Sequence, residues 1–337
     1  PPTDLPSGTM AAARAGHPRG LYVLFFAEMW ERFSYYGMRA LLIFYVTRHF
    51  LFADEPAYAV YGAYTALVYA TPAFGGLLAD RLLGYRKAVT VGAVLMALGH
   101  FAMAVDHLQV FYLALALLIC GNGFFKPNIS TIVGRLYEPG DPRRDGGFTI
   151  FYMGINLGAG AAPLLCGYLG ETHGWHLGFG LAGVGMVAGL VVFLLGQRWL
   201  GAVAEPPDAG RLVERVAPGL SRERLVHLGT AVAVLMAWQL VQHHGAVLVL
   251  LVVVGVLMFG GLGVAMITRC ERTERDRLLV VVLLMGVSVV FWAFFEQAGS
   301  SINLFTARNV DREVQSWTVP ASMFQSVNPA YIIALGP

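Results

Sequence analysis

The chain has 337 residues, 57% of them hydrophobic and 13% charged, with a formal net charge of +2. Soluble domains carry about 25% charged residues, so this chain lacks the polar surface to face water, and lipid is the remaining solvent. The small charge argues against a nucleic-acid partner, and Cys120, Cys166 and Cys270 stand singly in or beside apolar runs, with no disulfide framework or metal spacing.

Residues 1–20 read as a short cytoplasmic tail that carries Arg14, His17 and Arg19 and no cleavable signal pattern. Ten apolar segments follow, at about 21–47, 58–80, 88–105, 109–132, 147–169, 177–199, 225–242, 246–268, 278–305 and 318–337. Most come close to the roughly 20 residues that cross the hydrocarbon core as a helix. The connections are short except at 200–224, which holds Pro206, Pro207, Pro218 and several arginines. That linker separates a six-helix block, 21–199, from the later segments. Six helices and then a long basic connection is the rhythm of a transporter built from two six-helix halves.

Lysine and arginine set the orientation. With the N-terminus inside, the inner connections hold Arg81, Arg86, Lys87, Arg135, Arg143, Arg144, Arg198, Arg211, Arg215, Arg222, Arg224, Arg269, Arg272, Arg275 and Arg277. The outer connections hold only Arg48, Arg308 and Arg312. The chain is therefore read as an integral plasma (inner) membrane protein with a cytoplasmic N-terminus.

Ionisable side chains inside spanning helices are costly, so they face protein or water and point to function. The first segment holds Glu28, Glu31, Arg32 and Arg39 together with Tyr35 and Tyr36. At 100° per residue these six fall on one stripe about 140° wide. Glu28 and Arg32, an i, i+4 pair, would also serve as a plain structural bridge. Two acids, two bases and two tyrosines exceed what packing one helix needs. In the fourth segment Lys126 precedes Pro127, whose missing backbone donor predicts a kink. A lysine there reaches the first-segment acids or snorkels to the inner surface. Tyr69 lies midway along the second segment, and Tyr152 and Asn156 stand i, i+4 on the fifth. On the ninth, Trp292, Glu296, Ser300 and Asn303 share an arc of about 80°. The tenth offers Gln325, Ser326 and Asn328 beside Pro329. Single Tyr, Asn and Ser side chains also serve simply to bind neighbouring helices.

Glu28-Met-Trp-Glu31-Arg32-Phe33-Ser-Tyr35-Tyr36-Gly37 resembles the ExxERFxYYG motif of the proton-dependent oligopeptide transporter family, within the major facilitator superfamily. Gly75-Gly-Leu-Leu-Ala-Asp80-Arg81-Leu-Leu-Gly84-Tyr-Arg86-Lys87 is similar to the superfamily signature between helices two and three. Phe151-Tyr152-Met-Gly-Ile-Asn156, Phe291-Trp292-Ala-Phe-Phe-Glu296-Gln297 and Gln325-Ser-Val-Asn328-Pro329 resemble the family's signatures in helices five, seven and eight. Five motifs in family order are specific where one alone is weak.

The resemblance implies an all-α membrane protein with the major facilitator fold. Its parts are a six-helix N-terminal bundle at 21–199, a cytoplasmic linker at 200–224 and an inserted helix pair at 225–277. Residues 278–337 then form the first two helices of an incomplete C-terminal bundle, and the native protein is expected to continue for roughly four helices of about 20 residues. The family's glutamate in helix ten and tryptophan in helix eleven have no counterpart in this sequence.

The resemblance also implies roles. Arg39 and Lys126 bind the carboxylate of a short peptide, Asn156 and Asn328 contact its backbone or amino terminus, and Tyr35, Tyr36, Tyr69 and Trp292 line side-chain pockets. Glu28, Glu31 and Arg32, with Lys126 and Glu296, are the proton-coupling candidates. Arg39 pairs with Glu296 across an outer gate, while Asp80 and Arg81 brace an inner one. The coupling expected is that Glu31 and Arg32 meet Lys126, so that a proton on Glu31 frees a base for the peptide carboxylate.

The reading is a monomeric proton-coupled symporter that imports di- and tripeptides by alternating access, energised by the proton gradient with no cofactor. The alternative is a major facilitator transporter of another substrate, either nitrate or another anion, or an exporter of drugs. A membrane enzyme would need a nucleophile–base or metal constellation, and the nine histidines lie mostly at segment ends or in loops, without carboxylate or cysteine spacing. A receptor role leaves buried charge on several helices unexplained.

Overall fold

The computed structural model describes residues 16–336, so most of the expected tail lies outside the described residues. Helix α1, Arg19–Phe44, follows Pro18 and tightens into a π turn at Tyr45–His49. Helix α2, Asp54–Ala70, starts four residues before the expected segment, because Asp54 and Glu55 complement the positive end of the helix dipole. Pro72 cannot continue the backbone ladder, so the span resumes as α3, Pro72–Leu78, and ends in a π turn at Ala79–Leu83. Gly84, at φ 72°, makes the corner that only glycine takes without strain.

The first bundle is completed by α4 (Tyr85–Ala102), α5 (Leu108–Arg135), α6 (Arg143–Ala162) and α8 (Trp175–Gly196). Helix α6 runs through a π turn at Pro163–Gly167 into α7, Tyr168–His173. Glycines draw these helices together. A Cβ on Gly75 of α3 would lie 2.0 Å from the Gly123 carbonyl oxygen of α5. One on Gly92 of α4 would lie 2.6 Å from the Gly121 oxygen, and one on Gly158 of α6 would lie 2.1 Å from the Met29 oxygen of α1. Pro127 explains the first approach, since it denies the Gly123 carbonyl its usual i+4 donor. Helix α5 nevertheless continues unbroken through Pro127.

The linker holds a 3-10 turn at Gly201–Ala204, α9 (Ala209–Val213) and a two-stranded hairpin of β1 (Arg215–Ala217) and β2 (Leu220–Ser221). Arg86 reaches Glu205 at 2.6 Å and Lys87 reaches Glu223 at 2.5 Å, tying the linker to the start of α4. Helices α10 (Arg222–Gln242) and α11 (His244–Thr268) follow, α10 packing on α5 and α11 on α2.

Helix α12, Arg272–Phe295, opens with a capping box between Glu271 and Glu274. The ninth segment was expected to be one helix. It breaks instead at a 3-10 turn, Glu296–Gly299, with Ser300 out of helical geometry at φ −126° and ψ −98°, and resumes as α13, Ser301–Asn309. A hairpin of β3 (Glu313–Val314) and β4 (Trp317–Thr318) leads to a 3-10 stretch, Ala321–Ser326, and α14, Val327–Leu335. Six helical runs are long and apolar enough to cross a membrane on length and composition: 108–135, 143–173, 175–199, 222–242, 244–268 and 272–299. Helix α1 instead buries Glu28, Glu31, Arg32 and Arg39.

Candidate functional site

Glu28 and Glu31 on α1 are fully buried, and Arg32 is 6% exposed between them. Arg32 binds Glu31 side by side and stands 3.4 Å from Glu28 Oε1. Lys126 of α5 donates from Nζ to the same Glu28 Oε1 at 2.6 Å. Lysine therefore reaches the helix-one acids, but its partner is Glu28 rather than the expected Glu31. The second oxygen of Glu28 is buried with no hydrogen-bond partner among the described residues. Two acids and two bases balance, so the cluster as a whole is neutral. Burial makes that balance strict, because an uncompensated charge there is costly.

About two turns further along α1, Arg39 is 6% exposed. Its Nε donates to the Tyr61 hydroxyl of α2 at 2.8 Å, and its Nη2 donates to Glu296 Oε2 at 2.8 Å. Tyr69 donates to the other Glu296 oxygen at 2.9 Å. The 3-10 turn at Glu296–Gly299 aims this carboxylate at α1, and Gly299 lets it come close: a Cβ there would lie 2.0 Å from the Tyr61 oxygen.

The same end of the molecule carries further links between the first bundle and the segments after α11. Arg308 clasps Asp54 through two bonds of 2.6 and 2.8 Å, and Asn303 donates to the Ala40 carbonyl at 3.1 Å. Glu171 accepts from the Ser322 backbone at 2.9 Å and from Arg48 at 3.1 Å. Among the described residues, the ion pairs joining these two parts are Arg39–Glu296 and Arg308–Asp54, both at this end.

Behind the latch lies a cavity of about 590 Å³ between α1, α2 and α6 on one side and α12 to α14 on the other. Tyr36, Arg39, Tyr69, Asn156, Trp292, Glu296 and Asn328 all border it. Tyr35 and Lys126 do not line it: Tyr35 is buried with the Arg32 guanidinium 5.0 Å over its ring, and Lys126 is held by Glu28. Asn156 donates to the Tyr152 carbonyl of its own helix at 2.9 Å and is buried at the wall. The arc expected for Trp292, Glu296, Ser300 and Asn303 is broken by the 3-10 turn, which sends the Asn303 amide to α1.

At the opposite end, Asp80 and Arg81 are both exposed. Asp80 accepts from the Tyr85 hydroxyl at 2.5 Å, and Arg135 lies 4.6 Å over that ring, so the acid meets a base through a tyrosine rather than directly. Tyr61 and Glu171 escaped the sequence reading. Tyr61 and Tyr69 are i, i+8 on one helix face, which is a usable signal; Glu171 near a helix end gives none.

No group of His, Cys, Asp or Glu among the described residues is arranged to hold a metal. Two helical parts that meet at a buried ion pair, Arg39–Glu296, and an exposed one, Arg308–Asp54, around a central cavity have the build of a membrane transporter. The comparisons agree and specify the family. The model of the POT family matches residues 86–337. The peptide transporter YePEPT of Yersinia enterocolitica is 38% identical over 347 residues, spanning 96% of this chain and 66% of that protein. The uncharacterized transporter YclF of Bacillus subtilis is 37% identical over 336 residues, spanning 96% and 67%. A crystal structure of a POT peptide transporter in complex with alafosfalin superposes with a TM-score of 0.82 at 37% identity, over 96% of this chain and 67% of that one. The chain thus has the major facilitator fold and belongs to the POT family, a family of transporters and not of enzymes. It spans about two thirds of the length of these relatives.

Proposed function

We propose that the protein is a proton-coupled symporter that imports di- and tripeptides by alternating access across the inner membrane, with its N-terminus in the cytoplasm. The observation that carries this reading is the cavity of about 590 Å³ bordered by both Arg39 and Glu296. Its size is that of a small-ligand site, and it offers a fixed cation, a fixed anion and aromatic walls to a zwitterion of variable side chains. The related peptide transporters support the same substrate class. In this reading the latched end is the outer gate, closed, and Asp80 and Arg81 belong to the inner one.

The coupling follows from charge balance. Adding a proton to Glu28 leaves the buried cluster with a net positive charge and releases Lys126. A peptide carboxylate restores neutrality, so proton and peptide favour each other's binding, and linkage makes that favour reciprocal. Asn156 and Asn328 supply hydrogen bonds to the peptide backbone, and Tyr36, Tyr69 and Trp292 supply apolar walls. Arg39 takes part in both gate and substrate recognition, since a peptide carboxylate competes with Glu296 for its guanidinium. Proteoliposome uptake tests the proposal: an imposed inward proton gradient should drive accumulation of labelled dipeptide, and accumulation of nitrate or extrusion of a drug in its place would overturn it.

A further inference from the structure

A second cavity, of about 440 Å³, lies away from the transport path, between the first bundle and α10. Phe74, Leu78 and Leu82 form one wall, Phe124 the floor, and Leu225 and Val226 the wall on α10. Phe74 is 69% exposed and Leu225 48% exposed at its mouth, so the slot opens sideways, where a bilayer lies against the helices. An open apolar slot facing hydrocarbon is filled by hydrocarbon. What distinguishes this one is its rim.

Arg81 immediately precedes the lining residue Leu82, and Arg224 immediately precedes Leu225, so each wall ends in an arginine. The neighbouring bases are spoken for: Arg86 by Glu205, Lys87 by Glu223, and Arg222 by Glu214 at 3.0 Å. Arg81 and Arg224 make no ion pair among the described residues, and both are exposed. Arg224 gives one N–H to the Gly219 carbonyl at 2.6 Å and keeps the rest of its fork. Asp80 is the nearby acid without a salt bridge; it takes the Tyr85 hydroxyl and faces Arg135 across that ring. The rim is therefore net positive.

We propose that this slot binds one anionic glycerophospholipid, an acyl chain lying between α3, α5 and α10 and the phosphate held between Arg81 and Arg224. The lipid would fill the gap in the seam where α10 leans on the first bundle. This proposal does not rest on the transport reading. Juxtamembrane arginines each favour anionic over zwitterionic lipid by about fivefold, so two give about 25-fold.

The test uses the full chain, purified with equal amounts of phosphatidylglycerol and phosphatidylcholine of matched acyl chains, and native mass spectrometry to count retained lipids. The expected result is one tightly held phosphatidylglycerol, preferred by about 25-fold. Arg224→Gln, a surface change, should lower the preference about fivefold while chain binding persists. Gly229→Trp should abolish retention of either lipid, because Gly229 borders the slot and a Cβ there meets nothing within 4 Å. Thermal unfolding in phosphatidylcholine alone should be the same for Arg224→Gln as for the parent. Equal retention of the two lipids by the parent protein would overturn the proposal. So would unchanged retention in Gly229→Trp, or a second copy of the chain covering the slot, seen as a dimer mass that excludes lipid.

Discussion

Glu296→Gln keeps the shape of the side chain at the outer latch and removes its charge. Arg39 then keeps the Tyr61 hydroxyl but loses the one carboxylate it pairs with among the described residues, while its own side chain is 7% exposed. Breaking a buried pair by removing one partner costs about 3–5 kcal/mol. The Glu296 side chain is 18% exposed and borders the cavity, which brings the cost to about 2–3 kcal/mol. Opening the gate returns Arg39 to water, so the penalty falls on the sealed state, and the open-to-sealed ratio should rise about 30- to 150-fold. The Asp54–Arg308 clasp has shorter bonds, yet its side chains are 42% and 52% exposed, so Asp54→Asn should change the ratio by about fivefold or less. The assay is alkylation of Ser322→Cys, a fully buried position beside Glu171. A membrane-impermeant maleimide is applied from outside, and labelling is read by peptide mass spectrometry. With fast opening and closing, the labelling rate tracks the open fraction. An Asp54→Asn effect larger than that of Glu296→Gln would refute the reasoning that burial, not bond length, sets the strength of the latch.

Arg39→Ala should cut uptake of free peptides by at least tenfold, and Arg39→Lys should restore only part, because lysine lacks the planar fork; competition by peptides with amidated C-termini checks this, and equal competition by both forms would dismiss carboxylate capture. For Glu28→Gln and Lys126→Ala, gradient-driven accumulation in proteoliposomes should vanish, while peptide–peptide exchange should survive in Glu28→Gln; accumulation near the parent level in either would remove the cluster from the proton path. Gly299→Ala should push Tyr61 off Arg39, since a Cβ there also comes within 2.8 Å of Arg39 Nε, and should speed labelling at position 322 in the manner of Glu296→Gln.

The charged face of α1 was legible because helical periodicity is a property of one element: Glu28, Glu31, Arg32 and Arg39 share a stripe whatever surrounds them. Relations between elements were legible only in part. That Lys126 faces the acids follows from its depth, but its choice of Glu28 over Glu31 depends on the rotation of α5 against α1, which the periodicity of either helix alone does not fix. The break at Glu296–Gly299 defeated the assumption of a single helix, since only Gly299 marks it and glycine is common in membrane helices. Glu171 had no pattern to betray it, because the bond it makes to the later segments is to a backbone N–H, and its side-chain partner Arg48 lies far away in sequence.

The glycine approaches have a consequence for how variants of this protein are interpreted. At Gly75, Gly92 and Gly158 even one added methyl meets a backbone oxygen within 2.6 Å, and backbone, unlike a side chain, cannot rotate aside. Substitutions there should fail before the protein reaches the membrane in folded form. A mutational scan scored by growth on peptide would rank these positions beside Arg39 and Glu28, although none of them binds substrate or proton. Scoring folded protein at the membrane alongside uptake separates the two groups, and the residues that lose uptake at full abundance are the transport residues.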